Sequence, residues 1–350
     1  MSSPLASSQD RAFCAGVAPT SGGHLYDLIG NTQVALEVLT HESWARLAPV
    51  IVGQLVHRPD GARQKPWPSG ADIPPPCTCP GDSVKLDRVL HAPNTPLGRF
   101  GMETLVDSPD PFVGTIPMSG LVNPLTGTPT VAPLAVLVDF VAGLVNHYRR
   151  APDEWTVSSE LSLALAPNAL DSIAQAPDVP VVGTARPFGT KGSTSLGVCE
   201  LTHHDAVLGV GTVRSVHIAM PGEFPPEPDH PAADGRPTEL AEIMALRVED
   251  GALFQSPNPI LNNSMGIVHG GVAAAGLELA ASAALNAGRA DDPLDTASVS
   301  VNYLRPFRSS TESHYTAEVF RNGRRSGVAD SKAISTDGDV ALIARVTAYR

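Results

Sequence analysis

The rhythm of apolar and polar residues repeats along this chain. From about residue 84, and again from about 238, a short strand-like opening leads to a Gly/Pro-rich turn, then one long apolar run, then several alternating segments. The apolar runs, 131–145 and 272–285, have the length and continuity of buried helices. In the second block the alternating segments are 297–304, 312–321, 327–335 and 340–348. Ser298, Ser300 and Asn302 alternate with Val299, Val301 and Tyr303, the period of a half-buried strand. Asn322-Gly323 and Asp337-Gly338 fall between runs, where hairpin turns belong. Each block predicts one helix laid against an antiparallel sheet, an α+β arrangement made twice.

The repetition holds at single residues. Gly127 precedes Thr130 by three, as Gly266 precedes His269, and Asp139 follows Thr130 by nine, as Glu278 follows His269. The same offset of 139 carries Pro167 onto Pro306. Further on, Gly197-Val198 matches Gly327-Val328. The chain divides into residues 1–83, a first repeat at 84–220, a linker at 221–237 marked by its prolines, and a second repeat at 238–350. Within 1–83 the spacing of Val34, Val38, Leu39, Trp44, Leu47, Val50 and Ile51 predicts one or two short helices, and 58–80 is a Pro-rich connector.

Composition narrows what such a chain does. Hydrophobic residues at 42% and charged residues at 17% describe a globular protein, with aromatics scarce at 5%. A net charge of −12 argues against nucleic acid as a partner, since phosphate neutralisation needs clustered Lys and Arg. Four cysteines make no disulfide scaffold, and Cys77 and Cys79 lack a second ligand pair, so no metal is expected. No secretory signal opens the sequence, and the run 131–145 is too short for a span and carries Asp139; a cytoplasmic, non-membrane protein is expected.

The chemistry concentrates at Asn263-Ser-Met-Gly266-Ile-Val-His269-Gly270-Gly271. A Gly-Gly pair opening a helix leaves backbone N–H groups unpaired at the positive end of the dipole, a setting for an oxyanion or a polarised carbonyl. The bland alternative is a glycine turn into a buried helix. Each apolar run carries a single acid, Asp139 or Glu278, and a buried carboxylate is costly unless paired or at work. Along one helix nine residues amount to ~13 Å and about half a turn beyond whole turns. Glu278 therefore cannot serve the turn at the head of its own helix. The acid that meets the glycine turn comes from the other, antiparallel helix, as two units related by a twofold axis would arrange it.

With Tyr303-Leu304-Arg305-Pro306 beyond it, the Asn-x-x-Gly-x-x-His-Gly-Gly string resembles the hotdog-fold acyl-CoA thioesterases, and most closely the phenylacetate-pathway branch of the 4-hydroxybenzoyl-CoA thioesterase superfamily. The resemblance covers about 240–350 well and 95–220 weakly, and it implies a tandem double hotdog, an intramolecular pseudo-dimer in which each sheet wraps one central helix. It further implies an acyl-CoA substrate with no separate cofactor, CoA being part of the substrate. The N–H of Gly270 would polarise the thioester carbonyl, an acid of the facing unit would act as base or nucleophile, and Asn263 and His269 would position water and substrate.

The halves depart from the family pattern in complementary ways. The first has Thr130-Val131-Ala132 in place of His-Gly-Gly and Pro124 at the Asn position, yet keeps Leu137-x-Asp139. The second keeps the turn but has Gly276 for the Leu and Glu278 for the Asp. The expectation is one complete centre, Asp139 with Asn263, His269 and Gly270, and one degraded centre, Glu278 with Thr130 and Val131. Gly266 and Gly271 are expected against substrate, and Arg305 and Arg324, from a cluster with Arg308, Arg321 and Arg325, against CoA phosphates; the alternative for the cluster is a solvated hairpin. His203-His204 reads as a strand-end turn. There is no Gly-x-Ser-x-Gly string for a serine triad. A non-catalytic acyl-CoA or acyl-carrier binding module is the alternative reading, and exposed sheet edges leave room for a homodimer of double units.

Overall fold

The computed structural model describes residues 88–204, 206–222, 236–289 and 291–350, all within one unit, Val38–Arg350. The expected helices and connector of 1–83, Cys77, Cys79 and most of the 221–237 linker lie outside the described residues.

Among the described residues thirteen strands form one antiparallel sheet. The first half supplies β1 (Val89–Leu90), β2 (Glu103–Val106), β3 (Phe112–Ile116), β4 (Glu154–Leu165), β5 (Val181–Phe188), β6 (Thr194–His203) and β7 (Ala206–Ala219). The second supplies β8 (Leu246–Glu249), β9 (Ala252–Gln255), β10 (Asp295–Tyr303), β11 (His314–Asn322), β12 (Ser326–Ile334) and β13 (Val340–Tyr349). The helices are α1 (Pro96–Arg99), α2 (Pro133–His147), α3 (Ala169–Gln175), α4 (Leu240–Ile243) and α5 (Gly270–Leu285). The strand order β1-β2-β3-β5-β6-β7-β4-β10-β13-β12-β11-β9-β8 reads the same from either end once β1 is set aside. The two halves meet at β4 and β10.

The pairing at that seam carries the repeat in its register. Leu161 faces Val301 and Ser162 faces Ser300, and an offset of 139 turns one pair into the other. Only a local twofold axis crossing the seam does that. Backbone hydrogen bonds between β4 and β10 thus carry the sheet without a break from one half to the other.

Pro133 fits the first turn of α2, where its missing N–H leaves no hydrogen bond unmade, and the run from Leu134 to Val138 is buried. α5 begins at Gly270, with His269 as its N-cap residue. Both helices pack against the sheet and against each other. Strand glycines admit them: a Cβ at Gly197 would stand 2.2 Å from the Ala142 carbonyl oxygen, and one at Gly327 would stand 2.8 Å from a Leu285 methyl. Gly276, the departure from the family's Leu, has the same kind of explanation. Leu137 packs on Gly183 of β5, whereas a Cβ at Gly276 would lie 2.2 Å from the ring of Tyr315 on β11. Large and small have exchanged places between helix and strand.

The strands of the second half lie within two residues of their expected bounds. The short opening expected in each block is a pair of strands, β2–β3 and β8–β9. Buried Arg99 ties the halves together again, with Nε donating to the Ile243 carbonyl at 2.8 Å and a second nitrogen to the Glu242 carbonyl. Among the described residues no helix is long and apolar enough to cross a membrane.

Candidate functional site

Antiparallel packing of α2 and α5 brings the acid of each helix to the N-terminus of the other. At one crossing, Asp139 Oδ2 accepts the Gly271 N–H at 2.6 Å, a contact between residues 132 apart in the chain. Its Oδ1 accepts the Ser158 hydroxyl at 2.9 Å, from β4 of its own half. His269 Nδ1 lies 3.5 Å from Oδ2 and shares the Gly271 N–H at 3.2 Å. The carboxylate is 8% exposed, so these donors replace most of its water.

The glycines are required by contact. A Cβ on Gly271 would stand 2.6 Å from Val136 Cα, and one on Gly270 would stand 2.8 Å from Asp139 Oδ2. Close approach of the two helices is what places the carboxylate on a backbone N–H. Gly271, expected to touch substrate, instead has its N–H taken by Asp139. The Gly270 N–H has no hydrogen-bond partner among the described residues. Gly270 lines a cavity of about 320 Å³ together with Asp139, Asn263 and His269, between β4 and the 263–270 and 303–307 segments. Asn263 shapes its own turn, its Oδ1 accepting from the Met265 N–H at 2.9 Å. Gly266 closes that turn at φ +72°, as Gly127 does in the first half, and does not line the cavity.

The other crossing is built differently. Glu278, 1% exposed, accepts the Thr296 hydroxyl at 2.6 Å and the Thr130 hydroxyl at 3.1 Å. Thr130 Oγ1 in turn accepts the Ala132 N–H at 3.1 Å. A hydroxyl is therefore interposed where Asp139 meets the backbone directly. Burial pushes the Glu278 carboxyl above its usual range, against the lowering pull of the Thr296, Thr130 and Ser282 hydroxyls. A smaller cavity of about 210 Å³ adjoins it.

Two further expectations are corrected by these positions. The Asn place of the first half is filled by Asn123, not Pro124: bridges Val122–Pro129 and Asn262–Val268 correspond, and the first-half turn holds one extra residue that hides the match. Asn123 Nδ2 donates to the Leu279 carbonyl at 2.9 Å and to Ser282 Oγ at 3.1 Å, so it clamps α5. Arg324 stands in the β11–β12 turn, next to Asn322, whose side chain donates to the carbonyl of Leu285 at the far end of α5. That end lies at the other end of the 16-residue helix from Gly270, roughly 22 Å away at ~1.5 Å per residue, so Arg324 is not part of the Asp139 site. Arg305 does line the cavity, and is ion-paired with Asp339. Ser158 went unnoticed in the sequence, one serine of a pair in an ordinary strand, because only the fold aims it at Asp139.

Two further histidine clusters are structural. His203 Nε2 contacts the Ala176 and Val179 carbonyls at 3.1 and 3.2 Å, in the expected strand-end turn. Ser195 Oγ lies 2.7 Å from His217 Nε2, with Glu154 3.5 Å from Nδ1, a triad-like row across β6, β7 and β4. Ser195 is 1% exposed, out of reach of substrate. Among the described residues no group of three His, Cys, Asp or Glu is placed to hold a metal.

A large antiparallel sheet packed on one long helix in each half is the arrangement of the hotdog fold. Residues 260–349 match the family model of the acyl-CoA thioesterase N-terminal domain. Comparison with curated proteins finds no match. Among solved structures, the chain is similar to a tesB protein of Mycobacterium avium subspecies paratuberculosis (10% identity, 70% of this chain and 94% of that one, TM-score 0.48). It is similar also to the acyl-CoA thioesterase II TesB2 of Mycobacterium marinum (12%, 72% and 94%, TM-score 0.46). A third is a conserved protein of hot dog fold from Alicyclobacillus acidocaldarius (16%, 70% and 94%, TM-score 0.45).

Proposed function

We propose that this protein hydrolyses acyl-CoA thioesters as a tandem double hotdog, its repeats at 84–220 and 238–350 sharing one working centre. The observation that carries the reading is the contact of Asp139 with the Gly271 N–H across the two halves, beside an open Gly270 N–H in a cavity. Asp139 is the general base or the nucleophile. The Gly270 N–H, at the positive end of α5, polarises the thioester carbonyl. Ser158 and the Gly271 N–H hold the carboxylate in one orientation, and His269 and Asn263 flank the reacting carbon. CoA enters as part of the substrate, with Arg305 at the mouth as a phosphate contact.

The Glu278 centre is silent on this reading. Thr130 accepts the Ala132 N–H just ahead of α2 and stands between the carboxyl and the backbone, and the buried acid is held by hydroxyls. The likeness of the Asn263–Gly271 string to the phenylacetate branch, with Trp155 and Phe307 in the cavity wall, favours a medium-sized or aromatic acyl group. Free thiol release from a panel of acyl-CoAs tests the proposal. Turnover on any member that Asp139→Asn abolishes supports it; binding without turnover across the panel overturns it in favour of a binding module.

A further inference from the structure

Tyr303, at the end of β10, lines the Asp139 cavity and carries a hydroxyl that nothing satisfies. The Oη is shut from solvent and has no hydrogen-bond partner. An orphaned buried hydroxyl costs about 1–3 kcal/mol, and buried phenols ordinarily find a partner. Tyr315 does so, its hydroxyl donating to Gln255 Oε1 at 2.8 Å. Of the buried side-chain atoms left unpaired among the described residues, Tyr303 Oη alone belongs to a residue of this cavity.

Its position is specific. The ring edge stands against Gly270, 3.2 Å from where a Cβ would be. The carboxylate of Asp139 is already held by Ser158 and the Gly271 N–H. The offset of 139 places Ala164 at the equivalent point of the first half, so the hydroxyl exists only at the centre that keeps His269-Gly270-Gly271.

Resting on the thioesterase reading, we propose that Tyr303 Oη is a catalytic residue, the second donor to the thioester carbonyl oxygen beside the Gly270 N–H. That oxygen has two lone pairs and, once seated before Gly270, lies next to the ring edge; the bond is made only in the complex, as catalytic hydrogen bonds often are. Water deprotonated by Asp139 attacks the carbonyl carbon and the C=O π pair moves onto oxygen. Both donors hold that oxyanion; its collapse breaks the C–S bond, and the departing thiolate takes up the proton from Asp139. Tyr303 transfers no proton. Burial, and then the charge of Asp139, hold its ionisation well above that of a free phenol, so it stays a neutral donor.

The test is Tyr303→Phe, which keeps the ring and removes Oη. Turnover is expected to fall about 100-fold with KM within about threefold, the scale of losing one oxyanion donor. A ketone analogue of acyl-CoA, with methylene for sulfur, presents the same carbonyl as the substrate and is expected to bind the variant about two- to threefold more weakly. An S-alkyl-CoA lacking the carbonyl is expected to bind both proteins equally. Turnover within threefold of wild type, or equal loss of both analogues, overturns the assignment while leaving the thioesterase reading intact. Wild-type protein that releases no thiol from any acyl-CoA overturns that reading and the catalytic role with it.

Discussion

Asp139→Asn separates chemistry from architecture. The carboxylate has two partners, the Gly271 N–H at 2.6 Å and the Ser158 hydroxyl at 2.9 Å. An asparagine of the same shape satisfies both: its oxygen accepts the backbone N–H, and its NH₂ faces a serine oxygen that can accept. Both charge-assisted bonds become neutral, a loss of roughly 2 kcal/mol, and the cost of burying a charge disappears with it. Folding is therefore expected to change little, with Tm within a few degrees of wild type. Removing a general base costs roughly 10²–10⁴-fold, so a 10³-fold fall in kcat is expected, or about 4 kcal/mol at ~1.4 kcal/mol per decade. The assay follows thiol release from acyl-CoA for Asp139→Asn and Glu278→Gln in parallel, with thermal denaturation of each. If Asp139→Asn stays within threefold of wild type, or Glu278→Gln loses as much, the assignment of the working centre is wrong.

Other outcomes follow from the same contacts. Glu278→Gln should alter the pH dependence of stability: a carboxyl raised in the fold binds its proton more tightly there, so wild-type stability falls as pH rises from its unfolded value near 4.5 through the raised one. The variant should lack that fall, so its Tm should match or exceed wild type at pH 8 relative to pH 4; parallel Tm–pH curves would refute this. Gly270→Ala puts a Cβ 2.8 Å from Asp139 Oδ2, whereas Gly271→Ala puts one 2.6 Å from Val136 Cα. The first should cost mainly activity, at least about tenfold, and the second mainly stability, about 1–3 kcal/mol by urea titration. Gly276→Leu should be destabilised by a similar amount through the Tyr315 ring and recover much of it with Tyr315→Gly, a coupling that a double-mutant cycle measures directly.

Much of the architecture was legible in the chain because burial leaves a period. The unbroken apolar runs of α2 and α5 and the alternation through β10 state which faces are covered. The 139-residue offset, read from Gly127, Asp139 and Pro167 against their partners, reappears in the pairing of Leu161 with Val301. Helix geometry alone separated Glu278 from the turn before it and directed attention to Asp139. Local one-residue changes defeated the comparison: the longer first-half turn displaced Asn123 from its expected place. The exchange of Leu137 and Gly183 for Gly276 and Tyr315 joins residues on different elements, so no stretch of sequence displays it.

What only the tertiary structure decided is which N–H goes where. Gly270 and Gly271 are indistinguishable in composition and adjacent in sequence, yet successive residues of a helix set their N–H groups about 100° apart around its axis. With α2 packed closely against α5, one of them meets Asp139 and the other faces the cavity. Ser158, Tyr303 and Thr130 acquire their places in the same way, from strands and turns that the fold brings together, over 19 residues for Ser158 with Asp139 and 148 for Thr130 with Glu278. Sequence specified the parts, because each helix and strand is set by its own pattern of burial. The site required the fold, because its hydrogen bonds run between elements that no local pattern relates.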